Sequence, residues 1–176
     1  TYESDLGTLH ITRTGGFSAS LTGGSRVRSS EKAAEKLLRA MDFQYQALTR
    51  EQTETGAVQI RTSQTLLGVP VLGSQLTLSY TDEHLTAVEG TFYTGGSSIT
   101  RVSEQEAISA ADALAQLLAR RDALGWVGSA VTGLTQAYLP SDQAGTGIRF
   151  VPVWLVETDA GSFFINGITR EITAET

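Results

Sequence analysis

The chain has 176 residues and a mass of 18.8 kDa, room for one ordinary domain or two small lobes. Forty per cent hydrophobic residues and a mean hydropathy of -0.06 exclude a disordered chain. Nineteen acidic against thirteen basic side chains, net charge -6, argue against a nucleic-acid footprint or an anionic membrane surface. No apolar run approaches the ~18 residues of a membrane span. Cysteine is absent, which removes thiol catalysis, Cys-ligated zinc and disulfides together.

In chain order, residues 7–11 and 17–21 flank a glycine-rich turn and predict an opening hairpin. Ser29-Ser30 then leads a helix over 31–41. Its apolar face is Ala33, Ala34, Leu37, Leu38 and Met41, with Lys32, Glu35, Lys36 and Arg39 opposite. Strands are predicted over 43–48, 58–64, 75–80 and 85–93, the last two flanking an acidic turn at Asp82-Glu83. Ser103 and Glu106 form a capping-box pattern and predict a second helix over 103–121, with Ala107, Ile108, Ala111, Leu114, Leu117 and Leu118 as its stripe. Strands over 131–139, 150–157, 162–165 and 168–172 follow, and Asn166-Gly167 signals a type I′ turn. Many strands and two helices predict an α+β fold.

Each half carries a Ser-led helix, then strands and a Val-Pro-Val tripeptide, at 69–71 and 151–153, the outline of an internal repeat. Motifs for chemistry are missing. Gly16-Phe17-Ser18-Ala19-Ser20 lacks the second glycine of a nucleophile elbow and lies in a predicted hairpin. No phosphate loop, His-Glu-x-x-His or dinucleotide fingerprint occurs. Asp82, Glu83 and His84 stand together, but consecutive turn residues point in different directions and a solvated turn accounts for them. His10 sits in an alternating strand and reads as a surface or packed residue. No catalytic, cofactor or metal-ligating residue is assigned.

The aromatic residues are the candidate partner contacts. Phe150 and Trp154 share a strand face and read first as core packing against the second helix. Phe163 and Phe164 are neighbours, so one of them faces away from that core. Trp126, between two glycines past the second helix, is a further candidate anchor. Trp126, Trp154, Phe163 and Phe164 are therefore the expected partner-binding set.

Residues 58–90, with Gln64-Thr65-Leu66-Leu67-Gly68-Val69-Pro70-Val71-Leu72-Gly73-Ser74-Gln75-Leu76, look like the propeptide motif of secreted thermolysin-type metalloproteases, where a Gly-x-Pro-Val turn joins two strands. The second half resembles a PepSY domain in its helix, a strand near 136–139, Phe150-Val151-Pro152-Val153-Trp154-Leu155-Val156-Glu157 and Phe163-Phe164-Ile165-Asn166-Gly167-Ile168-Thr169. That ending is similar to YycH and YycI, extracytoplasmic regulators that restrain a cell-wall sensor kinase of a two-component system in Gram-positive bacteria. The resemblance covers about residues 30–172. It departs at Arg170, where the family ending has glycine, and neither a protease domain nor a zinc motif accompanies it.

The resemblance implies two PepSY-like units, each an amphipathic helix packed on an antiparallel sheet. The first spans 1–98 with the N-terminal hairpin, the second 99–176. It implies a non-enzymatic regulatory domain without cofactor or metal. Its partner would be a protein: a sensor kinase, another anchored regulator or a protease. The location would be extracytoplasmic, with a membrane anchor upstream of Thr1. A stand-alone protease-inhibitory module is the alternative within binding proteins. A small hydrolase with a dispersed Ser, His and Asp set is the alternative from another class. It requires His10 or His84 within reach of a serine and a carboxylate in a pocket.

Overall fold

The computed structural model describes residues 1–23, 28–54, 56–93, 99–143 and 147–175. The chain divides into two compact units, Thr1–Thr100 and Arg101–Thr176.

Unit 1 contains β1 (Tyr2–Ser4), β2 (Gly7–Ile11), β3 (Gly16–Leu21), α1 (Glu31–Ala40), β4 (Thr49–Gln52), β5 (Val58–Leu66), β6 (Val69–Thr81) and β7 (His84–Thr91). Its strands lie in the order β1-β2-β3-β7-β6-β5-β4, each pairing antiparallel. Alternation sends Val58, Ile60, Leu76, Leu78 and Tyr80 to one face, where they meet Ala34 and Leu38 of α1. The Ser30 hydroxyl caps α1 by accepting from the Ala33 N–H at 3.2 Å. Directly after the helix, Phe43 is buried in the same core and its N–H donates to the Leu38 carbonyl.

Unit 2 contains α2 (Ala110–Ala119), β8 (Val131–Gln143), β9 (Gly147–Thr158), β10 (Gly161–Asn166) and β11 (Ile172–Ala174), paired antiparallel in that strand order. Ala113 and Leu117 of α2 share a core with Trp126, Val156, Phe163 and Ile165. The β10–β11 connection is wound around one side chain. Asn166 Oδ1 accepts from the N–H groups of Ile168 and Thr169, both at 2.9 Å, while the Gly167 N–H donates to the Pro152 carbonyl at 2.8 Å. Arg170 closes this loop at φ 63, where a glycine costs least. The turn is therefore not the two-residue type I′ hairpin expected, and the last strand starts at Ile172 instead of Ile168.

The expected α+β architecture of two helix-and-sheet units is corrected: the molecule is mostly β, with 52% strand against 12% helix. The sequence overstated the helices and clipped the strands. Strand β6 runs through Pro70 and Gly73, β8 through Gly133 and Pro140, and β9 through Pro152, positions that read as breaks. Conversely, 103–109 is not helical. Ser103 Oγ accepts from the Gln105 N–H, a local turn, and the Ile108 N–H and C=O are taken by the Gly167 carbonyl and the Trp154 indole. Helix α2 starts instead at a second capping pattern, Ser109 with Asp112, joined by two hydrogen bonds. Ser109→Ala is expected to cost about 1 kcal/mol in urea unfolding. Ser103→Ala stays within about 0.5 kcal/mol of the parent.

The two Val-Pro-Val tripeptides occupy different places. One opens β6 beside the Leu67-Gly68 turn and the other lies inside β9.

Candidate functional site

The first unit ends at an open sheet edge. Strand β4, Thr49-Arg50-Glu51-Gln52, pairs with β5 alone among the described residues, and all four of its residues are exposed. The segment between α1 and β4 is not the strand expected over 43–48. It touches β5 through the Tyr45–Gln64 bridge, the Gln46 N–H on the Ser63 carbonyl and the Thr62 hydroxyl on the Ala47 carbonyl. Past β4, Thr53 and Gly56 close a tight turn, the Thr53 N–H donating to the Ala57 carbonyl at 2.8 Å. These two connections hold β4 along β5, and its outer backbone edge has no pairing strand among the described residues.

Register assigns the side chains to faces. Arg50 lies opposite the buried Ile60 and so shares the α1 side of the sheet, whereas Glu51 lies opposite Gln59 on the other side. Glu51 meets Arg61 at 3.1 Å, and Arg61 also donates to Gln59 Oε1 at 2.7 Å. Both partners are about half exposed, so the pair contributes little stability and leaves Glu51 open to another cation.

A cleft flanks the edge on each face. On the α1 side, about 550 Å³ is lined by Arg50 and Gln52 of β4, Ser29, Tyr80 and the Asp82-Glu83 turn, among others. On the other, a notch of about 170 Å³ is lined by Thr49, Gln46, Arg61, Ser63 and Gln75, among others. Asp82 and Glu83 both adopt left-handed φ, 49 and 65, and Glu83 meets Arg28 at 3.7 Å.

Tyr80 is 1% exposed and its hydroxyl has no hydrogen-bond partner among the described residues. Burial pushes its phenol from 10.0 up to about 12. The folded state therefore holds this proton more tightly than the unfolded chain. Its contribution is intact below pH 10 and is lost as pH rises towards 12. Tyr80→Phe removes an unsatisfied buried hydroxyl. It is expected to gain about 1 kcal/mol and to flatten the alkaline fall between pH 10 and 12, read by urea unfolding across that range.

A buried polar cluster that sequence reading missed ties the same sheet together. Ser74 Oγ donates to Gln64 Oε1 at 2.8 Å, and Gln64 exchanges hydrogen bonds with the backbone N–H and C=O of Tyr93. Gln64 and Ser74 are 4% and 2% exposed. The available signal was a glutamine and a serine at core-facing strand positions, where polar residues need dedicated partners.

The four aromatic candidates do not form one surface. Trp126 and Phe163, each 6% exposed, pack in the unit 2 core with ring centroids 6.2 Å apart. Trp154 packs against that core and its indole N–H donates to the Ile108 carbonyl at 2.9 Å. Phe164 is half-buried and lies opposite Leu155 and Thr173, on the face away from Phe163. Of the histidines, His10 is exposed with Nδ1 3.0 Å from Thr1 Oγ1, and His84 is exposed at the start of β7. No group of three or more metal-binding side chains occurs among the described residues. No helix among them is long and apolar enough to cross a membrane.

No family model matches the chain, and no curated protein matches it in sequence. Among solved structures, it is similar to an uncharacterized protein from Eubacterium rectale ATCC 33656, with TM-score 0.58 and 10% identity over 92% of this chain and 68% of that one. A second likeness is to the Bacillus megaterium YpeB C-terminal domain, with TM-score 0.42 and 13% identity over 96% of this chain and 89% of that one. The first likeness speaks to the fold alone. The second is too loose a superposition to carry an argument.

Proposed function

We propose that the chain is a non-enzymatic, PepSY-like protein-interaction domain that regulates a partner by receiving an extended segment of it along β4. The carrying observation is the open β4 edge with a cleft on each face. Strand addition supplies affinity through backbone hydrogen bonds, and alternate side chains of the added strand enter the flanking clefts. The resemblance to PepSY modules and to YycH and YycI supplies the setting: an extracytoplasmic domain, anchored upstream, acting on a sensor kinase or another anchored regulator.

The test is a library of capped extended peptides screened against the purified chain, with amide exchange read on the strongest binders. Slower exchange in β4 on binding, abolished by N-methylation of the peptide backbone, is the expected result. Protection confined to other strands, or no binder at all, would overturn the proposal.

A further inference from the structure

We infer that the β4 edge selects a foreign antiparallel strand carrying an acidic residue opposite Arg50 and a basic residue opposite Glu51, and rejects a second copy of itself. The inference deepens the proposed function and rests on it. Residues directly opposite in an antiparallel pair bring their Cβ atoms to about 5 Å, so unlike charges attract and like charges repel. Arg50 is exposed and has no ion-pair partner among the described residues. A carboxylate opposite it on the α1 side of the sheet completes it. Glu51 already leans on Arg61, and a cation opposite it on the other face extends that pair into a row of alternating charge.

The same geometry works against self-association. Two copies of one strand pair antiparallel about a two-fold axis perpendicular to the sheet, which keeps each face on its own side. Residues then meet only residues of the same face. The two registers that join most of β4 to itself therefore set Arg50 against Arg50 or Glu51 against Glu51. The remaining registers join β4 to itself through a single end residue. A foreign strand escapes this constraint, because its charges need not repeat those of β4. In an antiparallel partner the required order, read from its N-terminus, is basic then acidic.

Two capped peptides of identical composition test this, one with Lys-Glu and one with Glu-Lys at the centre of a short Thr- and Val-flanked strand. In low salt, Lys-Glu is expected to bind about fivefold tighter than Glu-Lys, with β4 amides protected. Arg50→Gln, which breaks no pairing in the fold, is expected to remove most of that preference while β4 protection persists. The double variant Arg50→Glu with Glu51→Arg is expected to invert it. Equal affinities with β4 still protected would overturn the charge rule and leave strand addition standing. Binding of neither peptide, nor of any library member, would overturn both. Protection of β4 in the free chain that grows with its concentration would show self-pairing and overturn the rejection of a second copy.

Discussion

Gly90→Ala is expected to unfold unit 1, costing at least about 3 kcal/mol and abolishing a cooperative urea transition for that unit. Gly90 lies at the centre of the sheet, opposite Leu76 of β6 on one side and Phe17 of β3 on the other. Its φ of 145 is closed to an L side chain, and a Cβ placed there would run into the Gln75 carbonyl oxygen. Relief would require β6 and β7 to part where the core residues Leu76, Leu78 and Val88 meet. Gly68→Ala is the control. Gly68 also has positive φ, 81, but no atom lies within 4 Å of its added Cβ, so only a backbone cost of about 1 kcal/mol is expected. A comparably small loss at Gly90 would show that the strands part more easily than their register implies.

Trp126→Ala is expected to cost unit 2 about 3–5 kcal/mol, a core effect rather than the loss of a docking contact. The indole packs with Phe163, Ala113, Leu117 and Val156. Arg121 closes over it, with the guanidinium carbon 5.3 Å from the ring and hydrogen bonds to the carbonyls of Trp126 and Gly128. The indole N–H has no partner among the described residues, so Trp126→Phe keeps most of the packing and loses no hydrogen bond, at an expected cost below half that of alanine. Tryptophan emission and the urea midpoint, followed separately in Trp126→Ala and Trp154→Phe, resolve the two indoles. A surface anchor would leave the midpoint unchanged, and that outcome would remove Trp126 from the core.

Legibility followed burial. The Ala34–Leu38 face of α1, strands β5 and β7 and the second half of β6 are plain in the sequence, because alternate or helical spacing of apolar residues is what a buried face requires. The α2 start was misplaced because two Ser-led capping patterns compete over 103–112, and only tertiary contacts to Ile108 decide between them. The mostly-β class is hidden in the sequence because proline and glycine signal strand ends, whereas β6, β8 and β9 run through them. In β9, however, Pro152 lacks an N–H yet still offers its carbonyl to Gly167. Trp126 reads as a candidate anchor between two glycines, since nothing in its own segment announces the Arg121 clamp. The candidate site itself was invisible. Thr49-Arg50-Glu51-Gln52 has no apolar residue to alternate, so an edge strand paired on one side reads as a loop.

The loop wound around Asn166 bears on how the molecule ages. Asn166 is the only asparagine in the chain, it precedes a glycine, and no cysteine is present to oxidise. Spontaneous deamidation at such a pair begins when the following backbone nitrogen attacks the side-chain amide carbon, expelling ammonia through a cyclic imide. Here that nitrogen is committed to the Pro152 carbonyl, and the amide oxygen is pinned by two N–H groups at 2.9 Å. The folded protein thus withholds both reactants of its most vulnerable linkage. Chemical wear at that position becomes a clock that runs while unit 2 is open and stops when it closes.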